Sequence, residues 1–183
     1  MKETDRKRLR TAIGYAESVP AAIDALFSSS ESEQQSGYWG LDNHVVLQGD
    51  LYPAAPFVAR EIIQRLAAGI RAAHLAPVYR LLQELRLGYA APSQLVDLGD
   101  GRVGTIPELC GLVIDAALPV FLRDAQSEDD EVRRAALSLL ETLSTRRLEV
   151  IDELVAAAGR TTDVGIREDL ENSVAELRGQ LLA

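Results

Sequence analysis

The chain of 183 residues is 47% apolar and 26% charged, ordinary proportions for a globular protein and enough length to bury a core. Its net charge of -9 disfavours nucleic acid, which is held by Lys and Arg on its phosphates, and points to a partner protein with a basic surface. No apolar run reaches the roughly 20 residues of a membrane span, and the opening MKETDRKRLR has no signal-peptide core, so a cytoplasmic protein is expected.

In chain order, Leu9, Ile13 and Ala16 recur at helical spacing behind Thr4 or Asp5. This predicts a helix over residues 4–17 with Arg6, Lys7, Arg8 and Arg10 on a solvated face. Pro20 opens a second helix over residues 21–27. Residues 28–37, SSSESEQQSG, hold no apolar side chain and read as a flexible loop. Residues 37–58 carry the only Trp, and Trp39, Leu41, Val45, Val46 and Leu47 predict a short helix ending at Gly49. Pro53 and Pro56 then lead into a helix over 54–68, marked by Phe57, Val58, Ile62, Ile63 and Leu66 and closed by Gly69.

Another helix is predicted over 71–87, with Leu75, Val78, Tyr79, Leu82 and Leu85 inward, bent at Pro77 and ended by Gly88. In residues 89–106 two short apolar pieces flank Asp100-Gly101, a two-residue turn signal. A small β-hairpin or an extended loop is expected there. Helices resume over 107–125 with Pro119 inside, 129–143, 147–158 and 164–182, about eight in all. The fold class expected is all-α, and the domain a single one over 1–183.

The segment 117–136, ALPVFLRDAQSEDDEVRRAA, joins a Pro-containing apolar helix to a second helix opened by an aliphatic residue and Arg. This pattern resembles the HEAT repeat. Pro119 stands where that repeat has its first-helix proline, Val132 and Arg133 match its Val-Arg pair, and Ala135 and Ala136 match its small residues. Ser127 stands where the family usually has Asp. Pro56 with Ile70-Arg71 is a looser copy, and Ile166-Arg167 one without the proline. The resemblance covers residues 54–182 and implies a right-handed α-solenoid of stacked antiparallel helix pairs. Trp39, Leu41, Asn43, His44, Gln48, Gly49, Leu51, Tyr52 and Pro56 are also similar to the N-terminal part of bacterial HEAT-like proteins, some of which resemble immunity proteins of toxin systems.

Chemistry-bearing constellations are sparse. His44 and His74 are the only histidines and Cys110 the only thiol, so no His/Cys metal site is expected, and Cys110 cannot close an internal disulfide. The Asp97–Gly101 turn offers two carboxylates where a calcium loop needs more oxygen ligands. No Gly-x-Ser-x-Gly elbow supports His44 with Asp42 or Asp50 as a base, and no glycine-rich phosphate loop occurs. No cofactor and no catalytic residue are therefore expected. Residues 37–58 have two readings. In one, Trp39 and Tyr52 pack while Asn43, His44 and Gln48 satisfy backbone groups. In the other, Tyr38, Trp39, Asp42, His44, Asp50 and Tyr52 form a partner-binding surface. The function expected is a non-enzymatic protein-binding module, its most specific form an immunity protein that masks a basic toxin. A scaffold or regulatory subunit and a nucleic-acid-acting HEAT-like enzyme are the alternatives.

Overall fold

The computed structural model describes residues 9–91 and 94–182. These are mostly helical, with nine α-helices and three two-stranded antiparallel hairpins among the described residues. They form two compact units divided between Ala116 and Ala117.

The first unit opens on a hairpin, β1 (Arg10–Thr11) and β2 (Gly14–Tyr15), where a helix over 4–17 was expected. Arg6, Lys7 and Arg8 lie outside the described residues. From Leu9 onward the backbone groups a helix would use internally bond elsewhere. Ala12 N–H donates to His44 O, Ala54 N–H to Arg10 O, and Ala16 N–H returns to Leu9 O. Arg10 lies 5.5 Å over the Tyr15 ring.

Helix α1 (Val19–Leu26) has Pro20 in its first turn, as expected. Helix α2 (Glu31–Val45) then includes most of the stretch predicted to be a loop. That stretch lacks an apolar stripe because its inward positions are filled differently. Gln34 is 1% exposed, and its amide oxygen accepts His74 N–H at 3.0 Å while its nitrogen donates to His74 O. Gly37 lets α2 lie directly on the backbone of α1 around Ala22 and Ala25. A period search counts apolar side chains and misses a face made of a satisfied amide and a bare Cα.

The helix predicted to run to Gly49 ends at Val45, and a hairpin follows: β3 (Val46–Leu47) and β4 (Asp50–Leu51), with Val46 opposite Leu51. Gln48 and Gly49 both have positive φ, 54° and 88°, as a mirror-image two-residue turn requires. The Tyr89 backbone lies alongside: its N–H donates to Gly49 O at 2.9 Å, and its carbonyl accepts Leu51 N–H at 2.7 Å. A Cβ on Gly49 would come within 2.9 Å of the Tyr89 ring. Gly49→Ala combines this clash with left-handed strain and is expected to cost about 2 kcal/mol, read as a lower urea midpoint.

Helices α3 (Ala55–Ala67) and α4 (Ala76–Leu87) carry Pro56 and Pro77 in their first turns. Pro77 therefore starts α4 rather than bending it, and Ile70 and Arg71 lie in the connection before it instead of opening it. The expected hairpin forms from β5 (Leu95–Asp97) and β6 (Val103–Thr105). Leu98 N–H donates to Arg102 O, so its loop has a third residue, Gly99, beside Asp100-Gly101. Helix α5 (Ile106–Asp115) starts at a reciprocal capping box between Thr105 and Glu108. In this unit α1 packs on α2 and α3, α2 on α4, and α3, α4 and α5 on one another. Leu41, Ile62, Leu66, Tyr79, Leu82 and Ile106 are among its fully buried side chains.

The second unit begins with α6 (Leu118–Asp124). The single helix predicted over 107–125 is thus two, with Pro119 in the first turn of the second, where its missing N–H is harmless. It continues with α7 (Asp130–Leu140), a short 3-10 turn (Ser144–Arg146), α8 (Arg147–Arg160) and α9 (Val164–Leu182). Helix α6 packs on α7, α8 on α9, and α7 on α9.

The entries to α7 and α9 are the same device twice. Asp129 N–H donates to Ser127 Oγ at 3.2 Å, and the Asp129 carboxylate caps Glu131 and Val132 N–H. Arg133 then reaches back to Ser127 O at 2.8 Å. Asp163 N–H likewise donates to Thr161 Oγ1 at 3.2 Å, its carboxylate caps Ile166 N–H, and Arg167 reaches Thr161 O at 2.7 Å. Arg133 is 4% exposed and also bonds Asp130 and, across to α9, Asp169.

Candidate functional site

Helix α2 turns Leu41 and Val45 inward and Trp39 outward. Trp39 is 49% exposed, while its neighbour Tyr38 is 5% exposed. The two rings meet edge to face, with centroids 5.1 Å apart and planes at 76°. The Tyr38 hydroxyl donates to Glu84 Oε1 on α4 at 2.8 Å. Arg80, one turn before Glu84, lies 5.4 Å over the Tyr38 ring and donates to the same oxygen at 3.3 Å. Tyr38 is thus no surface anchor itself. It is the buried brace that fixes Trp39 at the surface.

The electrostatics follow from burial. Desolvation, then the bond to Glu84, pushes the Tyr38 hydroxyl well above its ordinary range. Desolvation also raises the Glu84 carboxyl, with Asp42 adding to it and Tyr38 and Arg80 opposing. Tyr38, Trp39 and Asp42 therefore belong to one group, joined from α4 by Arg80 and Glu84. His44 faces away from it, with Nδ1 3.1 Å from Ser18 Oγ, and ties the end of α2 to the start of α1. Asp50 is exposed in β4, and Tyr52 follows it with its N–H on Val45 O.

Sequence reasoning missed Arg80 and Glu84. Their spacing of four on a helix was legible, but their meeting with Tyr38 required the packing of α4 on α2. A second signal was legible and overlooked. Residues 11–59 contain Glu17, Asp24, Glu31, Glu33, Asp42 and Asp50 but no Lys or Arg. Trp39 stands within this cation-free run.

The other sequence candidates have structural duties. Asp97 accepts Gly99 N–H and Asp100 holds Arg102, which closes the hairpin loop. Asp129 caps α7 and Asp130 pairs with Arg133. Cys110 is fully buried, which pushes its thiol far above the ordinary range. Among the described residues no three His, Cys, Asp or Glu side chains converge as metal ligands. Among the same residues no helix is long and apolar enough to cross a membrane. A scan against protein-family models finds no match, and comparisons with curated proteins and with solved structures find none either.

Proposed function

We propose that the chain is a non-enzymatic protein-binding module whose partner carries a basic surface. The observation that supports this most directly is Trp39, half-exposed on α2, braced by Tyr38 and set in a run of six carboxylates without a cation. A rigid exposed aromatic ring buries much area at small entropy cost, and the net charge of -9 steers a positive partner. The most specific form of this reading is an immunity protein that masks a basic toxin by occlusion, which needs a complementary face and no catalytic group.

The architecture in this reading is a HEAT-like α-solenoid. The pairs α6–α7 and α8–α9, with matched caps and matched arginine bonds, support it. Support against a nucleic-acid role comes from the arginines, many of which are held by carboxylates: Arg65 by Asp24, Arg86 by Asp115, Arg123 by Asp124, and Arg146 by Glu149.

The test is affinity capture from the native host with wild type, Trp39→Ala and Asp42→Asn, each checked by circular dichroism. The expected result is a basic protein retained by wild type, released by raised salt, and weakened at least tenfold by Trp39→Ala. Growth rescue by wild type, but not by Trp39→Ala, in cells expressing that protein would identify it as a masked toxin. Equal retention by wild type and Trp39→Ala would remove Trp39 as the anchor, and an acidic partner would reverse the electrostatic reading.

A further inference from the structure

The carboxyl of Glu84 lies between α4 and α2 with unequal oxygens. Its Oε1 accepts the Tyr38 hydroxyl at 2.8 Å and Arg80 Nε at 3.3 Å, whereas Oε2 is buried without a hydrogen-bond partner among the described residues. A carboxylate with one oxygen desolvated and unpaired is poorly stabilised as an anion, and a proton taken from solvent removes the charge.

The surrounding groups favour that uptake. Asp42 on α2 is a like charge, and Arg80, the opposing cation, is 66% exposed, so its attraction is screened. On the other helices packed on α4, Glu61 on α3 and Glu108 on α5 are further carboxylates, and Glu108 is engaged by Thr105. On α3, Arg60 donates to Leu98 O and Arg65 pairs with Asp24; on α5, Asp115 holds Arg86. Burial and Asp42 together keep the carboxyl above the ordinary glutamate range.

We infer that Glu84 is a proton-operated latch between α4 and α2, and that Trp39, edge-on to the Tyr38 ring that Glu84 holds, reports its state. With the proton bound, the Tyr38 hydroxyl keeps its acceptor and the cost of the buried charge is gone, while the bonds from Tyr38 and Arg80 lose their charge assistance. Desolvation is the larger effect, so the folded arrangement is favoured in mild acid over neutral pH. The folded chain holds this proton more strongly than the unfolded chain does. Glu84 therefore adds stability below the ordinary glutamate value of about 4.3, and that stability is lost as the pH rises through the higher folded value. The latch is independent of what docks on Trp39.

Trp39 is the only tryptophan, so its emission reads the latch directly. Emission would be followed from about pH 8 to about pH 4 in wild type, Glu84→Gln, Asp42→Asn and His44→Gln, with circular dichroism confirming the fold throughout. The expected result is a wild-type transition centred above about 4.3 that Glu84→Gln abolishes, Asp42→Asn moves to lower pH, and His44→Gln leaves in place. A transition that survives in Glu84→Gln, or is lost in His44→Gln, assigns the proton to another group and overturns the inference. A flat wild-type profile above about 4.3 overturns it as well.

Discussion

Gly37→Ala destabilises the first unit by about 3 kcal/mol, although alanine is the better helix former by roughly 1 kcal/mol. A Cβ at residue 37 would stand 2.7 Å from Ala22 O and from Ala25 C, and closer still to Leu26 N. All three are backbone atoms, which cannot rotate aside as the end of a side chain can. Accommodating the methyl group means pushing α2 off α1, and that strips Gln34 and Leu41 of their packing. Because Trp39 lies on α2, its emission in urea reads this unit, and the midpoint should fall by roughly 1–2 M. Gly159→Ala on α8 is the control. Nothing lies within 4 Å of its added Cβ, so the same change should raise the stability of the second unit by about 0.5–1 kcal/mol, read by far-UV circular dichroism in urea. If Gly37→Ala stabilised the protein as Gly159→Ala does, the close approach of α1 and α2 would be wrong.

Arg133→Met costs the second unit about 3 kcal/mol. The Arg133 side chain is 5% exposed and holds Asp169 at 2.7 Å and Ser127 O at 2.8 Å, so its removal leaves a partly buried carboxylate and a carbonyl without their donor. Asp130 is 67% exposed, and its share is small because water replaces the lost partner. Arg167 occupies the matching place on α9 but is only partly buried and is shown holding one carbonyl, so Arg167→Met should cost about 1 kcal/mol. Far-UV circular dichroism in urea reads this unit where Trp39 emission does not. In a double-mutant cycle, Arg133→Met and Asp169→Asn should couple by about 1–3 kcal/mol. Equal losses at Arg133 and Arg167 would show that the link from α7 to α9 contributes nothing beyond the repeated carbonyl bond.

The helices legible in the sequence were those with an apolar stripe and a marked end. Helix α3 was found through Phe57, Ile62 and Leu66, and α9 with both its limits. The errors have specific causes. Pro77 and Pro119 were read as interior prolines, but a proline within a run of apolar residues more readily marks the first turn of a new helix. Residues 28–37 hold no apolar side chain, so periodicity alone predicts a loop there. Leu9, Ile13 and Ala16 have helical spacing by themselves, so the pattern predicts a helix where the first hairpin forms.

The candidate surface divides in the same way. That Trp39 and the acids around it stand out is a property of composition, available before any folding. Which of its neighbours share the surface is not, since Tyr38 and Trp39 are adjacent in the chain and opposite in exposure.

The sequence by itself determined the mostly helical class, the acidic charge and the turn at Asp100-Gly101, because these depend on composition or on residues close together in the chain. Only the tertiary structure decided that Gly37 admits a second helix, that Gln34 is satisfied by His74, and that Glu84 has one oxygen on Tyr38 and the other without a hydrogen-bond partner among the described residues. The last two facts depend on groups 40 and 46 residues apart in the chain and the first on a neighbouring helix, and local propensity carries no information about which groups will share a boundary from which water is excluded.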